Sequence, residues 1–425
     1  MVSSRWSGAA RRCLTFSLVV VIGIQCWHFF ASALRYDQVD FGVYRAGGAA
    51  LLHGADLYGL RVGALHLPFT YPPAAAVLFA PFASLAVRPE QAFWTVCSLV
   101  ALWYVIRLSL RRYATSRVGN SALIALGVFA LVAHSNPLRV GMSQGQINVF
   151  IALLVLLDFS GVFPRLPRGC LIGIAAALKL TPAFLIIYLL VVRRFRAAGV
   201  AASTFFLVSL GAFAFGPSAS WRYWVHGDFA NARRTGDIQY ISNQSINGVL
   251  VRLTGSPAHA RPLWLVSVVA TTICLLWLAR RAHGARPWLG EALAMSGMLL
   301  VSPVSWVHHW IIVLPLLIAS FRCAAEAASR TRVALVITTV ALSAVLLYGV
   351  VWWVPIGDER VYHADPVQFL LGNSQVLLLL AVIASLAVFV VRGPRSEETA
   401  PASTHAPRIN PVDARSPSRP GLNTR

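Results

Sequence analysis

The sequence predicts an all-α protein that crosses a membrane many times. Of its 425 residues, 57% are hydrophobic and 12% are charged, and the mean hydropathy is +0.67. A soluble domain carries about 25% charged residues. The apolar residues are gathered in long runs, and a helix needs roughly 20 of them to span a bilayer. These observations exclude a secreted globular protein.

The first apolar run follows Arg5, Arg11 and Arg12 and ends in Ala31-Ser32-Ala33. This arrangement resembles a signal peptide with a small-residue cleavage site. However, the run is longer than a usual signal sequence and many others follow it. An uncleaved first helix is therefore the preferred interpretation.

Ten runs are predicted to be full crossings. They are Leu14–Ala33, Gln91–Leu110, Ser121–Ser135, Ile147–Val162, Ala197–Phe215, Pro262–Leu278, Leu289–Val301, Trp306–Ser320, Val333–Val354 and Gln375–Val391. The formal net charge is +21, and the basic residues fall in short clusters between these runs. Such clusters are typical of cytoplasmic loops, so the basic surplus does not indicate nucleic-acid binding.

Two further apolar stretches are interrupted. Pro72–Val87 contains Pro81, and Gly169–Val192 is broken at Thr181-Pro182. Each is either a pair of re-entrant half-helices or a kinked crossing, since irregular backbone inside a membrane must be buried or line a cavity. With both re-entrant, about ten full crossings leave both termini in the cytoplasm.

The predicted organisation is one integral membrane domain, residues 1–391, with large outer loops at 34–73 and 216–256. Residues 392–425 are rich in Pro, Ser, Thr and Arg and predict a disordered cytoplasmic tail. No internal repeat is evident, which disfavours a transporter built from matching halves. The six cysteines are scattered and predict neither a disulfide framework nor a zinc site.

Polar side chains that suit a sugar site collect on the predicted outer face. They are Asp37, Asp40, Tyr44, Arg45, Tyr71, Asn136, Arg139, Gln144, Gln146, Asn148, Asn243, Gln244, Asn247, His308 and His309. Amides hydrogen-bond to hydroxyls, and a carboxylate within reach of a hydroxyl can act as a general base.

Asp40 is the predicted base, because ionisable groups at a membrane edge are costly unless they serve a site or face water. The alternative is that Asp40 caps a short interfacial helix. Asp37 is a weaker candidate base.

Lys179 is the only lysine of the chain and lies in an apolar stretch. A bound phosphate would keep it charged. Its alternative role is a structural pair with a carboxylate or with carbonyls freed at Pro182. Arg45 and Arg139 are rival phosphate ligands.

Of His308 and His309, one is expected to contact a ligand and the other to be interfacial, because adjacent helical residues point about 100° apart. A metal site there is not expected. Gln146 and Asn148 suit either sugar hydroxyls or helix-end backbone groups. Gly47-Gly48 indicates close backbone packing and not a phosphate cradle.

Several motifs together resemble one enzyme family. They are Asp40-Phe-Gly-Val-Tyr44-Arg45, Phe69-Thr-Tyr71-Pro72-Pro73, Gly145-Gln146-Ile-Asn148, Leu178-Lys179-Leu-Thr-Pro182, Asn243-Gln-Ser-Ile-Asn247-Gly248 and Ser302-Pro303-Val-Ser305-Trp306-Val-His308-His309-Trp310. Their order from Asp40 to Trp310 is similar to that in the polyprenyl-phosphate-mannose-dependent α-(1→2)-mannosyltransferases of mycobacteria and relatives. These are membrane enzymes of the GT-C type, in glycosyltransferase family 87.

The resemblance implies an inverting transfer of mannose from polyprenyl-phosphate-mannose to a glycolipid, of the phosphatidylinositol mannoside or lipomannan type, at the extracytoplasmic side of the cell membrane. It implies Asp40 as the base. It also implies donor binding by Lys179, Tyr44, Arg45, Tyr71, His308 and His309, and acceptor or sugar binding by Gln146, Asn148, Asn243 and Asn247.

The same resemblance implies no cofactor and membrane lipids as surroundings. The chain lacks the Asp-x-Asp pair with which nucleotide-sugar enzymes hold a metal, which favours a lipid-phosphate donor. Two alternatives remain open: an arabinofuranosyltransferase with a polyprenyl-phosphate donor, and a lipid or solute transporter without enzymatic activity.

Overall fold

The computed structural model describes residues 8–354 and 359–392. Nineteen α-helices occur in these ranges. They are α1 Gly8–Arg35, α2 Val39–Leu52, α3 Pro73–Phe79, α4 Val87–Tyr113, α5 Ser116–Gly119, α6 Ala122–His134, α7 Asn136–Gln144, α8 Asn148–Ser160, α9 Cys170–Leu178, α10 Phe184–Val191, α11 Phe195–Phe215, α12 Pro217–Trp224, α13 Ile246–Thr254, α14 Pro257–Ala285, α15 Pro287–Val301, α16 Leu314–Glu326, α17 Ser329–Tyr348, α18 Pro366–Gly372 and α19 Ser374–Arg392.

Short 3-10 helices connect several of these elements. They are Ala80–Ser84, Thr181–Ala183, Asp228–Ala230, Ala232–Thr235, Val307–Val313, Val350–Trp353 and Glu359–His363. Within the described ranges, β-pairing is limited to two isolated bridges. The predicted all-α class is confirmed, while residues 393–425 of the predicted tail lie outside the described residues.

Seven described helices are long and apolar enough to cross a membrane, or eight if the bent pair α6–α7 forms one span. The chain is therefore a polytopic membrane protein. The predicted number of about ten full crossings is not confirmed. Two of the ten predicted crossings correspond to α8 and α15, which have 13 and 15 residues, and helices of that length are more often buried core elements.

The helices form an inner set and a lipid-facing set. In α15, 12 of 15 residues are buried, and 78% of the most apolar stretch within Val307–Glu326 is buried, against 6% in α1. Helices α1, α11 and α14 expose apolar side chains such as Phe16, Leu207 and Val266. In a bilayer those side chains contact lipid tails, while the inner helices hold the polar site.

The predicted break at Thr181-Pro182 is confirmed. Helix α9 ends at Leu178, Lys179 is extended, and a 3-10 turn leads into α10. The reason is steric: proline lacks an N–H and its ring clashes with the carbonyl four residues earlier, which here belongs to Leu178. The break places Lys179 at the end of a helix inside the helical bundle.

The chain also bends where proline or glycine interrupts other predicted crossings. Helices α6 and α7 meet at an angle of 66°, and Pro137 opens the first turn of α7. Helix α17 ends at Tyr348, because Gly349 adopts a left-handed conformation with φ of 64°. The predicted crossing Val333–Val354 is therefore shorter than its apolar run.

Close packing at Gly47-Gly48 is confirmed. A Cβ at Gly47 would lie 2.4 Å from the ring of Phe69, and one at Gly48 would lie 2.6 Å from the backbone of Phe79. These two glycines let the loop after α2 and helix α3 approach the face of α2 directly.

Candidate active site

Helix α2 carries the predicted base. Asp40 and Tyr44 are four residues apart, so their side chains share one face of the helix. Asp40 lies in the first turn, and Gln38 occupies the cap position. The alternative role of Asp40 as a helix cap is therefore wrong. Gln38 fixes the start of the helix, since its Nε2 donates to Thr95 Oγ1 (2.9 Å) and to the carbonyl of Met142 (3.0 Å).

Gln146 links the base to the rest of the site. Its Nε2 donates to the carboxylate of Asp40. Its Oε1 lies 3.1 Å from the hydroxyl of Tyr44 and 3.2 Å from Nδ2 of Asn148. Gln146 is buried, and both ends of its amide are occupied. The side chain therefore holds the Asp40 carboxylate in one orientation.

The position of Gln146 depends on the preceding glycine. Gly145 has a φ of 70° and ends α7. A Cβ at this position would lie 2.7 Å from Cβ of Phe41 and 2.9 Å from Oε1 of Gln38. Both the left-handed backbone and the close approach of α2 require glycine. The turn between α7 and α8 thus places Gln146 within hydrogen-bond distance of Asp40.

Lys179 lies at the other end of the same hydrogen-bonded chain. Its Nζ donates to Oδ1 of Asn148 (2.7 Å) and lies 2.9 Å from Nε2 of His309. Among the described residues no carboxylate forms an ion pair with Lys179. Its hydrogen-bond partners are an amide oxygen and an imidazole nitrogen.

The two histidines have different neighbours. His309 contacts Lys179, whereas Cβ of His308 lies 3.6 Å from the position of an added Cβ at Gly141 in α7. The ring of His308 is buried, and neither ring nitrogen has a partner among the described residues. Buried polar groups normally have one. The imidazole of His308 is thus an exception to this rule among the described residues.

Tyr71 lies beside both charged groups. Its hydroxyl is 3.0 Å from the hydroxyl of Tyr44, which in turn contacts Gln146. The Nζ of Lys179 is 5.7 Å from the centre of the Tyr71 ring, within cation–π range. We call the connected residues the Asp40–Lys179 cluster; they are Asp40, Tyr44, Tyr71, Gln146, Asn148, Lys179 and His309.

The electrostatic environment of Asp40 suits a base. Burial raises the pKa of its carboxyl to about 6, while the hydrogen bond from Gln146 and the charge of Lys179 act in the opposite direction. The carboxyl is therefore ionised at neutral pH but is a stronger base than an exposed aspartate. The residue is half-buried, so one side of it stays accessible to a ligand.

Arg45 is not brought to the cluster. Its Nε pairs with Glu90 (3.0 Å), and its Nη2 donates to the carbonyls of Ala83 (3.1 Å) and Leu85 (2.8 Å). The guanidinium fastens α2 to the start of α4. Sequence patterns could not reveal this contact, because Glu90 is 45 residues away.

Asn243 and Asn247 hold a loop. Asn243 donates to the carbonyl of Ile238 (2.9 Å) and accepts from the N–H of Ser305 (2.9 Å), and Asn247 donates to the carbonyl of Pro303 (3.1 Å). These amides fix the turn that leads into the 3-10 helix with His308 and His309. Their contacts connect them to the site through this turn.

The remaining outer-face charges are peripheral. Asp37 pairs with Arg88 (3.0 Å), and its side chain is 78% exposed. Arg139 is exposed. In the part of the chain that the structure describes, no three His, Cys, Asp or Glu side chains are grouped closely enough to hold a metal ion.

The residues that hold Tyr71 were not predicted from the sequence, which assigned no role to Arg234 or Tyr58. In the structure, both contact the backbone of the Phe69–Tyr71 segment. No periodic pattern in the sequence indicates these contacts, because Arg234 is 165 residues from Phe69 and Tyr58 is 13 residues from Tyr71.

The fold and the cluster define a class, a polytopic membrane enzyme with a carboxylate and an ammonium joined by buried amides. The family model for glycosyltransferase family 87 matches residues 69–303, more than half of the chain. This chain belongs to glycosyltransferase family 87.

Three relatives show what the chain is similar to. Two are named polyprenol-phosphate-mannose-dependent alpha-(1-2)-phosphatidylinositol mannoside mannosyltransferases, from Mycobacterium tuberculosis and Mycolicibacterium smegmatis. They are 34% identical over 335 and 377 residues, which cover 74% and 83% of this chain and 77% and 84% of the relatives. A third, from Mycobacterium tuberculosis, is named for a phosphatidylinositol pentamannoside; it is 34% identical over 314 residues, 72% of each chain.

Proposed function

We propose that this protein transfers mannose from polyprenyl-phosphate-mannose to a phosphatidylinositol mannoside or a similar lipid-linked glycan, in α-(1→2) linkage and with inversion. The names of the relatives support both the donor and the acceptor class. The observation that carries the proposal is the chain of hydrogen bonds from the Asp40 carboxylate through Gln146 and Asn148 to the Lys179 ammonium.

The proposed reaction uses the two ends of this hydrogen-bonded chain, the Asp40 carboxylate and the Lys179 ammonium. Asp40 removes the proton from an acceptor hydroxyl as its oxygen attacks the anomeric carbon of mannose. The bond from that carbon to the phosphate oxygen breaks on the opposite face, and the electron pair leaves with polyprenyl phosphate. One base suffices, because phosphate is a good leaving group and needs no proton.

Lys179 is the proposed partner of the departing phosphate, helped by His309. Preorganised positive charge is most effective where negative charge develops during the reaction. Tyr44 and Tyr71 lie between the two ends and are proposed to orient the donor, while His308 offers unpartnered nitrogens to a sugar hydroxyl. We assign Arg45, Asn243 and Asn247 a supporting role, because they fix the elements that carry these groups.

The proposed site opens to the extracytoplasmic side. The loop after α2 and the segment before His308 would then lie outside the cell, where a lipid-linked donor and a glycolipid acceptor meet in one leaflet. The basic clusters at the opposite helix ends support this orientation through the positive-inside bias.

The deciding experiment compares Asp40→Asn with Asp37→Asn. Membranes are supplied with labelled polyprenyl-phosphate-mannose and a phosphatidylinositol mannoside acceptor, and the labelled product is quantified. Loss of a general base costs about 100- to 10,000-fold in rate, so Asp40→Asn should fall by that amount. Asp37 is a matched control, because its carboxylate is three residues away and pairs with Arg88 on the surface.

Asp37→Asn should transfer mannose at nearly the rate of the unmodified protein. A fully active Asp40→Asn variant would overturn the assignment of the base. An unmodified protein that is folded yet transfers no mannose to any such acceptor would overturn the proposed reaction.

A further inference from the structure

Two side-chain hydrogen bonds hold the backbone on both sides of Thr70. Nη2 of Arg234 donates to the carbonyl of Phe69 (2.9 Å), and the hydroxyl of Tyr58 donates to the carbonyl of Tyr71 (3.0 Å). The second carbonyl belongs to the residue whose own hydroxyl reaches Tyr44 in the Asp40–Lys179 cluster. The Phe69–Tyr71 segment is therefore held from its outer side by groups that belong to no part of that cluster.

Arg234 and Tyr58 also fix each other. The guanidinium carbon of Arg234 lies 4.6 Å from the centre of the Tyr58 ring. Nη1 of the same guanidinium pairs with Asp228 (3.0 Å). Only arginine has a planar fork that can donate in two directions while lying over an aromatic face. With 15% of its side chain exposed, Arg234 is well placed to keep these contacts in solution.

The inner side of the segment rests on α2. The Phe69 ring packs against Gly47, where a Cβ would lie 2.4 Å from it. Tyr71 is followed by Pro72, which restricts its backbone to extended conformations. The hydroxyl of Tyr71 is thus located relative to Asp40 and Tyr44 by Gly47 on one side and by Arg234 and Tyr58 on the other.

We propose that Arg234 and Tyr58, which we call the Tyr71 clamp, are positioning residues for the transfer reaction. They act through the Phe69 and Tyr71 carbonyls and touch no substrate. This inference rests on the proposed function, in which Tyr71 orients the donor between Asp40 and Lys179. A displacement of about 1 Å at a reacting centre costs up to about 100-fold in rate.

Steady-state kinetics of Arg234→Met test the clamp. Methionine has a similar length but no donors, so kcat should fall at least about tenfold while the donor KM changes less than about threefold, because Lys179 is untouched. Arg234→Lys retains one donor and should recover part of kcat. The matched control is Arg61→Met: Arg61 is exposed in the same loop as Tyr58 and donates to the carbonyl of Leu60 (2.7 Å), and this variant should stay within about twofold of the unmodified protein.

A double-mutant cycle separates positioning from general loop stability. In a Tyr71→Phe background the hydroxyl that the clamp positions is absent. In that background Arg234→Met should therefore lower kcat by less than about a further twofold. Equal losses from Arg234→Met in both backgrounds would overturn the inference. An Arg61→Met variant as slow as Arg234→Met would also overturn it.

Hydrogen–deuterium exchange gives a readout that needs no turnover. Arg234→Met should raise exchange in residues 66–71, and Arg61→Met should not. If the unmodified protein transfers no mannose while this exchange pattern holds, Arg234 and Tyr58 still fix the Phe69–Tyr71 segment, but the proposed function fails and their role in transfer fails with it. If transfer is normal and Arg234→Met matches the unmodified protein in both rate and exchange, the clamp fails and the proposed function stands.

Discussion

Burial sets the basicity of Asp40, and two neighbouring side chains moderate it. The carboxylate lies in a half-buried position that disfavours its charge, and Gln146 and Lys179 recover part of that cost. Because the group must be ionised to accept a proton, activity should be lost as the pH falls through the pKa of the carboxyl. The residue scale therefore predicts a pH profile as well as a mutant phenotype.

We expect kcat/KM for the acceptor to decrease as the pH is lowered, with a midpoint near pH 6. This midpoint is the raised pKa of Asp40 in the free enzyme. Gln146→Leu removes the donor that stabilises the carboxylate, so its midpoint should move to higher pH. Gln144→Leu is the control, since the hydrogen bond to the Asp40 carboxylate comes from Gln146 and not from Gln144. A midpoint that is the same in Gln146→Leu and the unmodified protein would place the base elsewhere.

At the scale of elements, proline and glycine allowed helix breaks and close packing to be predicted from the sequence. The break before Pro182 and the packing at Gly47-Gly48 follow from steric rules that act within a few residues. Asp40 and Lys179 were recognisable because charged groups are costly in apolar surroundings. The connection between them through Gln146 was not recognisable, because Gln146 is 106 residues from Asp40. For the same reason the sequence could not tell that Arg45 is engaged by Glu90.

The turn between α7 and α8 gives a test of element geometry. Gly145→Ala forces a left-handed alanine and a contact 2.7 Å from Phe41. Left-handed non-glycine residues cost about 1 to 3 kcal/mol. We therefore expect a lower Tm in detergent and a loss of transfer activity, since Gln146 would move away from Asp40.

Gly141→Ala is the matched variant, four residues earlier within α7. An added Cβ there meets His308 at 3.6 Å and Gln146 at 3.9 Å, which are ordinary contacts, and alanine favours a helix by about 1 kcal/mol over glycine. Its Tm should equal or exceed that of the unmodified protein. A Gly145→Ala variant as stable as Gly141→Ala would show that the close approach of α2 is not required.

At the scale of the whole molecule, the cluster lies near one end of the bundle. His309 contacts Lys179 at the start of the Val307–Glu326 helical segment. From His309 the segment continues as 3-10 helix to Val313, at about 2.0 Å per residue, and then as α16, at about 1.5 Å per residue, so its far end is about 28 Å away. This distance is close to the hydrocarbon thickness of a bilayer. Arg322, Arg330 and Arg332 follow at the far end, where the positive-inside bias predicts the cytoplasm.

The two ends of the bundle should therefore react differently with a membrane-impermeant maleimide. Leu65 is 68% exposed in the loop after α2, and Arg330 is exposed just beyond α16. In an active chain whose six cysteines are replaced by alanine, Leu65→Cys should be labelled in intact cells, because its loop is proposed to face outward. Arg330→Cys should be labelled only after the membrane is permeabilised. The reverse pattern would place the Asp40 end in the cytosol, where an extracytoplasmic transfer of mannose is impossible.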